Sequence, residues 1–161
     1  MGYDFLVKRG LEMIKDYLNN RTVQLKVEAS DRIDAIRKAA SSLVRENKIS
    51  EKYVDNMIAA LDEYGPYIVL IPGIALAHAE PCSEVYEESM SMMTLKNPVK
   101  FGHETNDPVH TVFVLASNEK FKHMEVLMSI SKLLMKEEFI ELLQTCEDVD
   151  ELLTYIERKE S

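Results

Sequence analysis

Four histidines occur in this sequence, and two of them stand where chemistry can be done. His78 follows the short apolar stretch Ile74-Ala-Leu-Ala77 and precedes the polar segment that opens with Ala79-Glu80-Pro81, so it sits at a strand end. Strand ends in open α/β sheets are where ligand sites collect. Imidazole is a competent nucleophile near neutral pH, its unperturbed pKa being about 6.5, so a neutral ring nitrogen there can accept a phosphoryl group. The position also suits a histidine that merely ends its strand by bonding a carbonyl. His123 shares a helix face with Leu127, Ile130 and Leu134, and the pattern places it in the first turn of a helix over residues 123–134. The positive end of a helix disfavours imidazolium and favours bound anions, which suits a neutral histidine donating to a phosphoryl oxygen. A core-edge histidine with one satisfied nitrogen fits the same spacing.

The other candidates are weaker. His103 and His110 flank the turn Asn106-Asp107-Pro108, where a histidine is usually just solvated. The four histidines with Glu80 show no close helical spacing of the kind zinc motifs use, so no metal is expected. Cys82 lacks a glycine-rich phosphate cradle and reads as an ordinary thiol, and Cys146 reads as packing. The methionines, among them Met90, Met92, Met93, Met124, Met128 and Met135, read as core filling. No Ser-His-Asp signature and no dinucleotide-binding glycine fingerprint is present.

The elements that must position these residues follow from periodicity. Residues 5–18 carry one apolar helical face, and Val23, Leu25 and Val27 alternate as in a half-buried strand. Ser30 and Ser50 are placed to cap two helices, because a hydroxyl can accept from the free N–H groups of a first turn. Residues 67–71 form a continuous β-rich run, as expected of a strand buried on both faces, and 74–76 a second apolar segment. A polar loop spans 79–89. Strands are expected over 91–95, ended by a turn at Asn97-Pro98, and over 109–116. Helices are expected over 123–134 and 139–143, and Asp148-x-x-Glu151 reads as a capping box opening a last helix through Ile156. The expected fold is a single α/β domain over 1–161, its core about 5–157, with a mixed β-sheet flanked by helices on both faces.

Composition bounds the function. The apolar share of 46% over 161 residues excludes overall disorder, and no apolar run is long enough to span a bilayer. The N-terminus lacks a signal-peptide pattern, and two cysteines make no disulfide framework, so a cytoplasmic location is expected. The net charge of −9 arises wholly after residue 64, where 17 acidic groups face 8 basic ones. Nucleic acid is excluded as a partner, since phosphate backbones need clustered Lys and Arg. Such a surface is compatible with a basic protein partner, and equally with acid that only keeps the domain soluble.

The stretches Gly65-Pro-Tyr-Ile-Val-Leu-Ile-Pro-Gly73, Ile74-Ala-Leu-Ala-His78, Phe101-Gly-His103-Glu-Thr-Asn-Asp-Pro-Val109 and His123-Met-Glu-Val126 resemble the enzyme IIA component of the bacterial sugar phosphotransferase system. The likeness is to the mannitol/fructose superfamily, and most of all to its ascorbate-specific type, over nearly the whole chain. It implies the mannitol-type IIA fold, and transfer of a phosphoryl group from the phosphohistidine of the carrier HPr to His78, then to a cysteine of enzyme IIB. The membrane enzyme IIC is implied only indirectly, with no insertion of this chain into the membrane and no cofactor. His123 matches the second active-site histidine of the family, and His103 a histidine of the ascorbate subgroup with a supporting role. A regulatory module of the same fold that senses phosphorylation is the alternative. Two positions depart from the pattern. Ala77 stands where the family usually has proline, and Glu80 where ascorbate-type relatives carry arginine in His-x-Arg-Pro. The upstream arginine of mannitol-type proteins has no counterpart in Leu61-Asp62-Glu63. Electrostatics predicts that Glu80 turns away from a phosphoryl group on His78, toward solvent or a nearby lysine, because a carboxylate facing a dianion would oppose its formation.

Overall fold

Alternation along the central strands sorts side chains into two cores. Ile74, Leu76, Met90, Met92, Phe113 and Leu115 pack on one face of a sheet, and Ala75, Ala77, Met93, Leu95, Val112 and Val114 on the other. Each large apolar side chain removed from water contributes about 1.5–3 kcal/mol, so both faces need a cover. The computed structural model describes residues 14–159. Its strands are β1 (Val23–Val27), β2 (Val69–Ile71), β3 (Ile74–Ala77), β4 (Ser89–Val99) and β5 (Val109–Ala116). They form one mixed sheet of order β1-β4-β5-β3-β2, in which β3 and β5 run parallel and β4 antiparallel to β5. Helices α2 (Arg32–Arg45) and α3 (Glu51–Tyr64) cover the alanine-rich face. The other face is covered by α4 (Lys120–Leu134), α5 (Glu137–Thr145) and α6 (Val149–Lys159), with helix α1, described over residues 14–17. A mixed sheet with helices on both faces is as expected. Most of the predicted first helix lies outside the described residues. Among them, no helix is long and apolar enough to cross a membrane.

Four local expectations are corrected. Asp31, not Ser30, caps α2, its carboxylate accepting from Asp34 N. Ser50 does cap α3. The run 67–71 is not a doubly buried strand. Only Val69–Ile71 is extended, at the sheet edge, while β3 takes the buried place beside β5 with alanines whose small size hides it from hydropathy. Pro98 does not end β4. The ladder jumps from Thr94↔Thr111 to Val99↔Val109, so Lys96, Asn97 and Pro98 bulge into solvent and no ladder donor is required of the proline. Helix α4 starts at Lys120, so His123 lies beyond its free first turn and its N–H already bonds Glu119 O at 3.1 Å.

Of the methionines, Met90, Met92 and Met93 are core, but Met124, Met128 and Met135 are exposed. Cys146 is buried, as read from the sequence.

Candidate active site

His78 follows directly on the last residue of β3. Beyond Ala77↔Val114 the β3–β5 ladder ends, and the backbone groups there need other partners. Tyr53 supplies them from α3. Its buried hydroxyl accepts from Ala79 N at 3.1 Å and donates to Leu115 O at 3.0 Å, with Ala79 O at 3.3 Å. Burial pushes this phenol well above its ordinary range, so it remains a donor. Farther along, Ser50 N donates to Glu84 O, and Tyr86 N to Lys48 O, pinning the loop to the α2–α3 connection.

The ring of His78 is fixed twice. Its Nδ1 lies 2.9 Å from Leu76 O. A carbonyl only accepts, so Nδ1 carries the proton and, in the neutral ring, Nε2 keeps its lone pair. Tyr67 meets the ring edge-on, centroids 5.6 Å apart at 84°, and its hydroxyl donates to His78 O at 3.4 Å. Burial, with Glu80 beside it, raises the Tyr67 phenol.

His123 comes from α4, its centroid 5.4 Å from that of His78. It is 8% exposed, and its Nδ1 has no hydrogen-bond partner among the described residues. Burial and then the His78 ring hold its pKa below the ordinary histidine value, outweighing Glu80 and Glu88. The ring is therefore neutral at neutral pH and has one N–H to give.

Beside His123 opens a depression of about 420 Å³, lined among others by Tyr67, Glu80, Lys120 and Met124. Glu80 is exposed on its rim, and among the described residues no lysine pairs with it. Around the depression Tyr64, Tyr67 and Met124 are exposed, the most open being Tyr64 at 70%.

His103 is not brought here. Strands β3 and β5 run parallel, His78 lies past their carboxyl ends, and residues 101–108 precede the start of β5. The eight residues of β5 at about 3.3 Å each separate the two sites by on the order of 20 Å. His103 Nδ1 accepts from Thr105 N at 3.2 Å and Asn106 N at 3.0 Å, a loop-holding task. The expected supporting role is therefore corrected. His110 lies at the same far end, its ring packed over Gly73. Sequence reasoning missed Tyr53, Tyr67 and Lys120. The one available signal was a tyrosine, with a polar tip, amid an otherwise aliphatic helix face.

The model for the phosphoenolpyruvate-dependent sugar phosphotransferase system, EIIA 2 family, matches residues 16–159. The ascorbate-specific PTS system EIIA component of Shigella boydii is 34% identical over 140 residues, 86% of this chain and 91% of the relative. Among solved structures, the mannitol-specific cryptic phosphotransferase enzyme IIA CmtB of Escherichia coli superposes with TM-score 0.80 at 29% identity, covering 90% of this chain and 98% of that one. The complex of enzyme IIAMTL with phosphorylated enzyme IIBMTL of Escherichia coli gives 0.76 at 27% identity, covering 86% and 96%. A match running through every described strand, together with the mixed sheet, places this chain in the EIIA 2 family of sugar phosphotransferase components, which are phosphotransferases.

Proposed function

We propose that this protein carries phosphoryl groups in the cytoplasm from phospho-HPr to a cysteine of enzyme IIB, serving uptake of ascorbate or a related sugar through a membrane enzyme IIC. The observation that carries this is the tautomer of His78. With Nδ1–H held by Leu76 O, the Nε2 lone pair is free to attack phosphorus. The N–P bond of the donor histidine breaks, its electron pair returns to the donor ring, and the P–Nε2 bond forms. Positive charge that develops on the His78 ring is shared with the Leu76 carbonyl. His123 is a neutral donor beside the ring, and its N–H stabilises a phosphoryl oxygen. Transfer onward runs in reverse, with thiolate as nucleophile and His78 leaving as neutral imidazole. Such transfer needs positioning and charge stabilisation rather than covalent help.

The exposed Tyr64, Tyr67 and Met124 form an apolar rim of the kind protein partners cover. The solved complex of IIAMTL with phosphorylated IIBMTL supports IIB as one partner. The ascorbate-specific relatives support the substrate class.

The test is incubation of the purified protein with phosphoenolpyruvate, enzyme I and HPr, followed by mass mapping. One acid-labile phosphate on His78 is expected, discharged by an ascorbate-type IIB. A phosphate elsewhere, or one that no IIB discharges, overturns the carrier role.

A further inference from the structure

A phosphoryl group on His78 brings negative charge to a site that holds little to balance it. The free N–H groups at the start of α4 are the first place to look, and two of them are taken. The carboxylate of Glu119, the residue before the helix, accepts from Phe121 N at 2.9 Å and from Lys122 N at 3.2 Å. The helix terminus therefore presents a carboxylate of its own rather than empty donors. His123 is neutral, for the reasons given above. Glu80 adds another negative group to the rim. The helix α3 contributes Ala60 and Tyr64 to the depression, neither of them charged.

One cation lines the depression, Lys120. It is the first residue of α4, three positions before His123 and so on the same helix face. Side chains of a helix lean toward its N-terminus, which for α4 is the end that follows β5 and faces the carboxyl end of β3. Lys120 is exposed, and among the described residues it has no ion pair or hydrogen bond that would hold it elsewhere.

We propose that Lys120 is the charge-compensating residue of the phosphorylated state, its ammonium group pairing with the oxygens of a phosphoryl group on His78 Nε2. This rests on His78 as the phosphoryl acceptor. Lysine suits the task as a compact, mobile point charge that can follow the group as it arrives and leaves. No proton need move. The N–P bond exchange is the one already described, and Lys120 stabilises the transferring oxygens electrostatically. The device places a movable cation on α4, and it offsets Glu80.

The test compares wild type, Lys120→Gln and Lys120→Arg, each loaded with phosphoenolpyruvate, enzyme I and HPr. Lys120→Gln should slow loading about 10- to 100-fold, mainly in kcat, with Lys120→Arg recovering most of it. A readout independent of any partner is the ³¹P NMR titration of the isolated phosphoprotein. A neighbouring ammonium lowers the pH at which the phosphoryl group takes its proton, so the midpoint should rise in Lys120→Gln and stay near wild type in Lys120→Arg. Unchanged loading and an unchanged ³¹P titration overturn the proposal. A loss confined to the KM for HPr, with the ³¹P titration unchanged, makes Lys120 a docking residue and overturns it too. Failure of the wild type itself to take phosphate on His78 instead removes the acceptor on which the proposal stands, and is read from the wild-type sample alone.

Discussion

The two ends of the β3–β5 pair each carry two histidines, and the proposed transfer site lies at one of them. At the carboxyl end, His78 and His123 face each other at 5.4 Å beside an open depression. At the amino end, His103 and His110 serve the backbone and the packing. The instructive difference is which way a backbone group turns the ring. A carbonyl accepts from His78 Nδ1, so the lone pair of the neutral ring is on Nε2. Two N–H groups donate to His103 Nδ1, so in the neutral ring the proton sits on Nε2 and no lone pair faces outward. The same side chain thus keeps an outward lone pair or braces a loop according to its hydrogen bonds to the backbone.

Charge sharpens the contrast. At the amino end the Asp107 carboxylate accepts from Phe101 N at 3.0 Å, Gly102 N at 2.8 Å and His103 N at 3.1 Å, so the loop is tied to itself. At the carboxyl end the exposed carboxylate of Glu80 lies on the rim of the depression that His123 and Tyr67 also line.

The largest effect expected separates the ends outright. His78→Gln should abolish phosphate uptake from phospho-HPr while keeping the native circular dichroism spectrum. His103→Gln should load at a rate within about threefold of wild type, since side chains this far apart act independently. Loading of His78→Gln, or loss of loading in His103→Gln with the fold intact, breaks the comparison.

Next in size is His123→Ala. Removal of one transition-state donor costs about 3 kcal/mol, or roughly a hundredfold in rate. The phosphate should remain on His78, which mass mapping checks. Unchanged rates of loading and of transfer to IIB would reduce His123 to packing.

The amino end should fail differently, through stability. Gly73 sits at φ +82°, and a Cβ there would lie 2.4 Å from the His110 ring. A left-handed non-glycine residue costs about 1–2 kcal/mol and overpacking about 1–3 kcal/mol, so Gly73→Ala should lose roughly 2–5 kcal/mol in a denaturant titration. The transfer rate per folded molecule should hold. A slowed rate at unchanged stability would mean that the two ends are coupled.

Much of this arrangement was legible in the residues, and the gaps have physical causes. β5 announced itself through Val112-Phe-Val-Leu115, because a central strand buried on both faces needs apolar side chains in succession. His78 was legible as a strand end because polarity rises at once after Ala77. The start of α4 was not legible. Its cap is Glu119, a residue that rarely caps, and Lys120-Phe-Lys122 carries no helical stripe, so the helix start that carries Lys120 looked like loop. The tautomer of His78 depends on a carbonyl, which no sequence displays. The role of Tyr53 depends on where two other segments, at Ala79 and Leu115, come together. His103 misled for a different reason. A motif marks a residue without saying which end of a strand it will occupy.

The smallest effect, and the finest test of the comparison, is the acid titration of His123 and His110. Burial holds both His123 and His110 below the ordinary histidine value, the His78 ring adding to the effect in the first and Lys26 in the second. The unfolded chain therefore binds protons more readily than the fold, and stability falls as pH drops from about 6.5 through the folded values. Above that range the contribution is fully present. In the unphosphorylated protein both rings should titrate low by ¹H–¹⁵N NMR, and His110→Gln should make the acid loss of stability shallower. Phosphorylation should then part them. A phosphoryl group on His78 favours imidazolium at His123, so that midpoint should rise, while His110, at the far end of β5, should not move. If both midpoints shift alike, the change is a general one in the fold. If neither shifts, the phosphoryl group does not sit beside His123, and the assignment of the carboxyl end as the transfer site fails.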